Sequence, residues 1–133
     1  MIRIVLVDDH ELVRTGFRLI LQQQADIEVV GEAADGEHGL VLLKTLKPDL
    51  ALVDVHMPGV SGIEVTERVR KLKLKTRIII VTMVSEAPFP RRLLEAGASG
   101  YITKSCPAPE LQRAVRQVAD GRRYLAPGIA EAM

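Results

Sequence analysis

The chain has 133 residues, 47% of them hydrophobic, enough for one domain with its own core and too few for two ordinary ones. Lys and Arg number 18 against 17 Asp and Glu, and this net charge of +1 excludes a strong overall bias toward nucleic acid, membrane or acidic substrates. The single cysteine, Cys106, cannot form an internal disulfide, and no apolar run approaches the roughly 18 residues of a membrane span, so a soluble cytoplasmic protein with no membrane partner is expected.

Short β-branched runs alternate with helical periodicity along the chain. Ile2 to Val7 predicts a strand, after which Val13, Phe17, Ile20 and Leu21 share one helical face. Ile27 to Val30 predicts a second strand, followed by a helix marked by Leu40, Leu43 and Leu46. Leu50 to Val53 and Arg77 to Val81 flank a third helical segment marked by Val65, Val69 and Leu72. A fourth helical segment carries Leu93, Leu94 and Ala98, and Gly100 to Thr103 predicts the fifth strand. In the fifth helical segment Leu111, Ala114, Val115 and Val118 share a face, with Pro109 near its start and Gly121 at its stop.

A strand-helix unit repeating about every 25 residues requires crossover connections, and these favour a parallel sheet with helices on both faces. The fold class is therefore α/β, an open doubly wound five-stranded parallel sheet. Its expected strand order, 2-1-3-4-5, is that of flavodoxin-like folds and is adopted from them rather than deduced from the runs. Residues 122–133 lie beyond the fifth helical segment and read as a linker. From Pro88 to Arg123 seven basic residues face three acidic ones, an excess that a solvated helix face accounts for most simply, or a kinase or dimer surface.

Sites in open parallel sheets form outside the carboxyl ends of the strands. Here the first strand exits into Asp8-Asp9, the third into Asp54, the fourth into Thr82 and the fifth into Thr103-Lys104, whereas the second exits through Gly31-Glu32-Ala33. Taken singly, Asp8 or Asp9 could cap the first helix, Thr82 could turn or cap, and Lys104 could be solvated. Capping cannot explain Asp54, because Met57-Pro58-Gly59 intervenes before the next helix. If the first and third strands are neighbours, three carboxylates converge. Two like charges about 4 Å apart repel by about 4 kcal/mol at an effective dielectric of about 20, so the cluster needs a cation. Carboxylate oxygens favour Mg²⁺ (or Mn²⁺) over zinc, and His10, His38 and His56 share no metal-site spacing. Such a site, with Lys and Thr alongside, suits phosphoryl chemistry on a carboxylate nucleophile. No GxxxxGK[ST] loop is present, so the phosphoryl group has to arrive on another molecule.

The segments LVDDHELVRTGF, VDVHMPGVSGIE, VTM and AGASGYITK resemble, in order and spacing, the receiver domain of bacterial two-component response regulators. The resemblance runs from Met1 to about Gly121. DDHELVR and the tail GRRYLAPGIA look more narrowly like the NarL/FixJ group, which carries a LuxR-type helix-turn-helix, and SEAPFPRRLLEAGASGYITK like its GacA/UvrY branch. The resemblance implies that Asp54 is the phosphoacceptor, Asp9 a direct Mg²⁺ ligand and Asp8 its partner through water. The backbone carbonyl of His56 completes the set. It also implies that Thr82 and Lys104 contact the phosphoryl group, that Thr82 and Tyr101 switch, and that the fourth helical segment, fifth strand and fifth helical segment form the responding surface. Implied partners are a sensor histidine kinase or phosphotransfer domain, small donors such as acetyl phosphate, a second copy on activation, and DNA only through a helix-turn-helix beyond residues 122–133.

The sequence departs from the family at three places. Met83 stands where many receivers have a small residue, which narrows access to the site, and Ser105 stands where many have proline. Glu86-Ala87-Pro88-Phe89-Pro90 carries two prolines, so the fourth helical segment is expected to start late. The chain reads as a truncated transcription factor, with a natural stand-alone receiver as the alternative. A receiver that catalyses its own phosphorylation and dephosphorylation is not an enzyme in the ordinary sense. The enzymatic alternative, a Mg²⁺-dependent phosphohydrolase of haloacid-dehalogenase type, is expected to carry DxDx[TV] after the first strand, where this chain has adjacent Asp8-Asp9. A module that is never phosphorylated would have no need for the full set Asp8, Asp9, Asp54, Thr82 and Lys104.

Overall fold

A computed structural model describes residues 1–83 and 94–126. In chain order these form β1 (Ile2–Val7), α1 (Glu11–Gln22), β2 (Ile27–Ala33), α2 (Gly36–Leu46), β3 (Leu50–Asp54), α3 (Gly62–Lys71), β4 (Arg77–Thr82), β5 (Gly100–Thr103), α4 (Ala108–Ala119) and β6 (Tyr124–Leu125). The helix α4 is the fifth helical segment of the sequence. Of the fourth segment, residues 94–96 are helical, while Leu93 and the proline-bearing stretch Glu86 to Pro90 lie outside the described residues.

All the strands pair in parallel, in the order β2-β1-β3-β4-β5-β6. The expected order holds for the first five, and the sixth strand is an addition. Tyr124 and Leu125, expected in a linker, pair with Gly100 and Tyr101 of β5. Tyr124 is buried, and its hydroxyl donates to Glu110 Oε1 of α4 at 2.9 Å. Two residues make too short a strand for hydrophobic alternation to reveal it.

The sheet separates two apolar layers. Val5, Val7, Ala51, Val53, Ile78, Ile80 and Tyr101 pack with Leu40 and Leu43 of α2 and Val65 and Val69 of α3. Ile4, Leu6, Leu50, Leu52, Ile79, Val81 and Ile102 pack with Phe17 and Leu21 of α1 and with Leu111, Ala114, Val115 and Val118 of α4. Strand residues therefore alternate between two buried faces, which is why the strands read as continuous apolar runs. Leu72, assigned from the sequence to the buried face of the third helix, instead caps the carboxyl end of α3 and is 48% exposed.

The second strand runs three residues past its predicted end. Ile4 pairs with Val29 and Val5 with Gly31, so Val30 is bulged out of register and Gly31-Glu32-Ala33 continue the strand. Gly31 reads as a strand end in sequence because glycine also marks turns; here it follows a bulge.

One close backbone approach fixes the loop after β3. The N–H of Gly62 donates to the carbonyl of Val55 at 3.1 Å, and a Cβ on Gly62 would lie 2.4 Å from the Asp54 carbonyl oxygen. Ser61 then caps α3, its side chain accepting from the N–H of Glu64 at 3.2 Å. Gly62→Ala must push the backbone at Asp54 and is expected to lower stability by about 2 kcal/mol or more. Gly16→Ala, in α1 with open space around the added methyl, is expected to raise it by about 0.5–1 kcal/mol. Thermal unfolding of the two variants beside the parent chain checks both signs.

Candidate functional site

Register brings the polar residues together. Val7 pairs with Val53, so Asp8 and Asp54 leave neighbouring strands side by side. Thr82 pairs with Thr103, and the N–H of Lys104 donates to the carbonyl of Thr82 at 2.8 Å, which fixes the start of the lysine stem. Pleat alternation, carried one residue past the strand ends, places Asp8, Asp54 and Lys104 on the α1/α4 side and Thr82 with Tyr101 on the α2/α3 side. The predicted residues Asp8, Asp9, Asp54, Thr82 and Lys104 thus share the carboxyl edge. Tyr101 lies within the sheet, fully buried among the residues of the α2/α3 layer.

Four of these five carboxyl-edge residues are nearly dry, and Asp9 is exposed. Asp54 and Thr82 are 2% and 1% exposed, Asp8 is buried, and the Lys104 side chain is 8% exposed. The Lys104 ammonium lies 3.1 Å from Asp54 Oδ2 and 3.4 Å from Asp8 Oδ2. The N–H of His56 donates to Asp54 Oδ1 at 3.2 Å, and the His56 side chain lies on the exposed loop. Thr82 Oγ1 is 3.3 Å from the carbonyl of Met83, whose own side chain is half exposed. No cis peptide bond occurs among the described residues, the Lys104–Ser105 bond included.

Burial pushes the Asp54 carboxyl up to about 6, and the charge on Asp8 pushes in the same direction against the opposing pull of Lys104. Neither Asp8 nor Asp9 supplies the side-chain cap of α1. Its N-cap residue is His10, which makes no side-chain capping bond, and Asp8 Oδ1 instead accepts from the His10 N–H at 2.8 Å.

Two features escaped sequence reasoning. The ring of His10 turns into the cluster, with Nδ1 3.1 Å from Asp8 Oδ1 and 3.2 Å from Asp9 Oδ1. Its position directly after Asp8-Asp9 was the available signal, but sequence spacing cannot show which way a ring at a helix start points. Arg14 and Arg18 of α1 both pair with Glu32, tying α1 to the bulged end of β2.

The donor set fits a hard divalent ion: Asp8, Asp9 and Asp54 each bring a carboxylate oxygen within 4.8 Å of the others, His10 Nδ1 included. Elsewhere the chemistry is bland. Burial, with Glu110 adding, pushes the Cys106 thiol up to about 11, which keeps it protonated and a poor nucleophile. In the basic stretch of the chain, Arg116 pairs with Asp26 at 2.9 Å and Arg122 with Asp120 at 3.5 Å. A cleft of about 770 Å³ opens at the amino edge of the sheet among Met1, Pro48, Lys73 and Arg77, away from every one of the site residues. Among the described residues no helix is long and apolar enough to cross a membrane.

A doubly wound parallel sheet with an acidic cluster facing a lysine at its carboxyl edge is the architecture of a CheY-like receiver. The chain belongs to the response regulator receiver domain family, whose pattern matches residues 4–116. It is 45% identical over 131 residues to the response regulator GacA of Pseudomonas aeruginosa, covering 98% of this chain and 61% of that protein. It is 42% identical over 133 residues to UvrY of Escherichia coli, covering all of this chain and 61% of that protein. The chain thus spans about three fifths of these curated relatives. A solved LuxR-family two-component response regulator from an Aurantimonas species superposes with a TM-score of 0.91 at 41% identity, covering 98% of this chain and 93% of that one. Receivers are phosphoacceptors rather than conventional enzymes, they bind Mg²⁺ through an acidic pocket, and response regulators of this type interact with histidine kinases.

Because the folded state holds the Asp54 proton more tightly than the unfolded chain, whose carboxyl titrates near 3.8, stability falls as pH rises from about 4 through about 6. In chelator at pH 7.5, Asp54→Asn is expected to stabilise the protein by about 1–3 kcal/mol, a gain that shrinks toward zero near pH 4. Denaturant unfolding of both proteins across that range checks the sign.

Proposed function

We propose that this chain is the phosphorylation-controlled input domain of a two-component response regulator, with Asp54 as its phosphoacceptor. The observation that carries the reading is the setting of Asp54, a nearly dry carboxylate beside Asp8, paired with Lys104, at the end of a strand whose loop keeps α3 seven residues away. The donor is a sensor histidine kinase, a phosphotransfer domain or a small molecule such as acetyl phosphate.

An Asp54 carboxylate oxygen attacks phosphorus. The new O–P bond forms as the N–P bond of a phosphohistidine breaks, and the imidazole leaves with that electron pair and takes up a proton from solvent. Lys104 pairs with one phosphoryl oxygen and Thr82 donates a hydrogen bond to another. Asp8, Asp9, Asp54 and the backbone carbonyl of His56 would hold Mg²⁺ or Mn²⁺, which supplies charge neutralisation at the phosphoryl oxygens when bound. With water as acceptor the O–P bond breaks, the carboxylate returns and inorganic phosphate leaves, so the domain catalyses its own phosphorylation and dephosphorylation.

The phosphoryl group adds a charge of about −1.5 to −2 at this edge. Drawing Thr82 toward it frees room on the sheet face that Tyr101 shares, and the change spreads over the fourth helical segment, β5 and α4, where a second copy docks. In the full-length protein this event controls DNA binding and transcription through a LuxR-type helix-turn-helix beyond the linker, in the cytoplasm. The likeness to GacA, UvrY and a LuxR-family regulator supports this output. Adjacent Asp8-Asp9 in place of DxDx[TV] favours the phosphoacceptor over a phosphohydrolase.

Radiolabelled acetyl phosphate with Mg²⁺ should label the parent chain, and Asp54→Ala should lose the label while keeping its fold. Undiminished label at one other residue in the variant would overturn the assignment.

A further inference from the structure

His10 is the side chain in this cluster that the phosphoacceptor reading leaves without a task. Its capping position is not used by its ring, and its N–H is anchored on Asp8 Oδ1 at 2.8 Å, which holds the residue against the acidic trio. Nδ1 stands 3.1 Å from Asp8 Oδ1, 3.2 Å from Asp9 Oδ1 and 3.9 Å from Asp54 Oδ2. Metal–ligand bonds of about 2.1 Å place adjacent ligands of an octahedron about 3.0 Å apart and opposite ones about 4.2 Å apart, so Nδ1 sits at ligand spacing from all three carboxylates.

The protein's own cation marks the locus. The Lys104 ammonium lies 3.1 Å from Asp54 Oδ2, 3.4 Å from Asp8 Oδ2 and 2.7 Å from His10 Nδ1. An ammonium has hydrogens and no lone pair, so in the tautomer protonated on Nε2 the Nδ1 lone pair faces it. In that tautomer the imidazole, with Asp54 and Asp8, is one of three donors around a positive charge.

We propose that His10 Nδ1 is an additional ligand of the divalent-cation site, which makes the site prefer Mn²⁺ and other first-row transition ions over Mg²⁺. The proposal rests on the reading that Asp8, Asp9 and Asp54 hold a divalent ion. Oxygen donors suit Mg²⁺ and Mn²⁺ alike, whereas an imidazole nitrogen strengthens binding of transition ions and adds little for Mg²⁺, which gives up water reluctantly.

The test uses the chelator-stripped chain titrated calorimetrically with MnCl₂ and MgCl₂, together with pulsed electron paramagnetic resonance of the Mn²⁺-loaded form. The parent chain should show nitrogen modulation on bound Mn²⁺. His10→Ala should abolish that modulation and weaken Mn²⁺ binding about tenfold while changing Mg²⁺ binding less than twofold. Both ions bound with no nitrogen modulation in the parent chain, or equal losses for the two ions in His10→Ala, would overturn the role of His10 and leave the carboxylate site standing. Neither ion bound by the parent chain would overturn the carboxylate site and His10 with it. The parent-chain spectrum decides the matter even if the variant folds poorly.

Discussion

Asp8 and Asp54 leave neighbouring strands side by side with almost no access to water, and the repulsion between them governs the chemistry of this edge. At about 4 Å and an effective dielectric of about 20 such a pair repels by about 4 kcal/mol. The Lys104 ammonium offsets part of this from 3.1 and 3.4 Å, yet Asp54 is still pushed up to about 6. The site is thus under-neutralised by the protein's own charges, an imbalance that a bound divalent cation would relieve. Functional sites commonly hold such locally unfavourable arrangements, sustained by stability elsewhere in the fold.

That stability comes from the two apolar layers. Every residue of β3 is buried, and four of the six in β1 are, so the strands are held from both faces and their register cannot slip without moving whole layers. Register in turn delivers Asp8 beside Asp54 and Lys104 beside Thr82. The close approach of Gly62 to the Asp54 carbonyl then fixes the path of the loop between β3 and α3. Precision at the edge follows from rigidity of the layers beneath it.

The alternation of strands and helices was legible because double-sided burial writes strands as unbroken apolar runs, and because Leu111, Ala114, Val115 and Val118 keep helical spacing. The carboxyl-edge residues were legible because polar groups at the ends of such runs stand out; Asp54 is the clearest case. Three things were not. The bulge at Val30 hid behind a glycine that also signals a turn, and β6 is two residues long. The inward turn of the His10 ring depends on the Asp8 carboxylate that anchors its backbone, a contact that exists only in three dimensions. Each miss concerns local geometry that tertiary contacts set and local pattern does not.

The constraint at this edge is electrostatic: Asp54 is a carboxylate held above its ordinary range by burial and by Asp8, and a bound divalent cation would return it there. Carboxyl ¹³C resonances of aspartate-labelled protein, assigned through Asp54→Asn and titrated with and without Mg²⁺, test this most directly. Asp54 should titrate near 6 in chelator, and Mg²⁺ should move its midpoint well below that value. An ordinary midpoint in chelator, or one that Mg²⁺ leaves where it was, would contradict it.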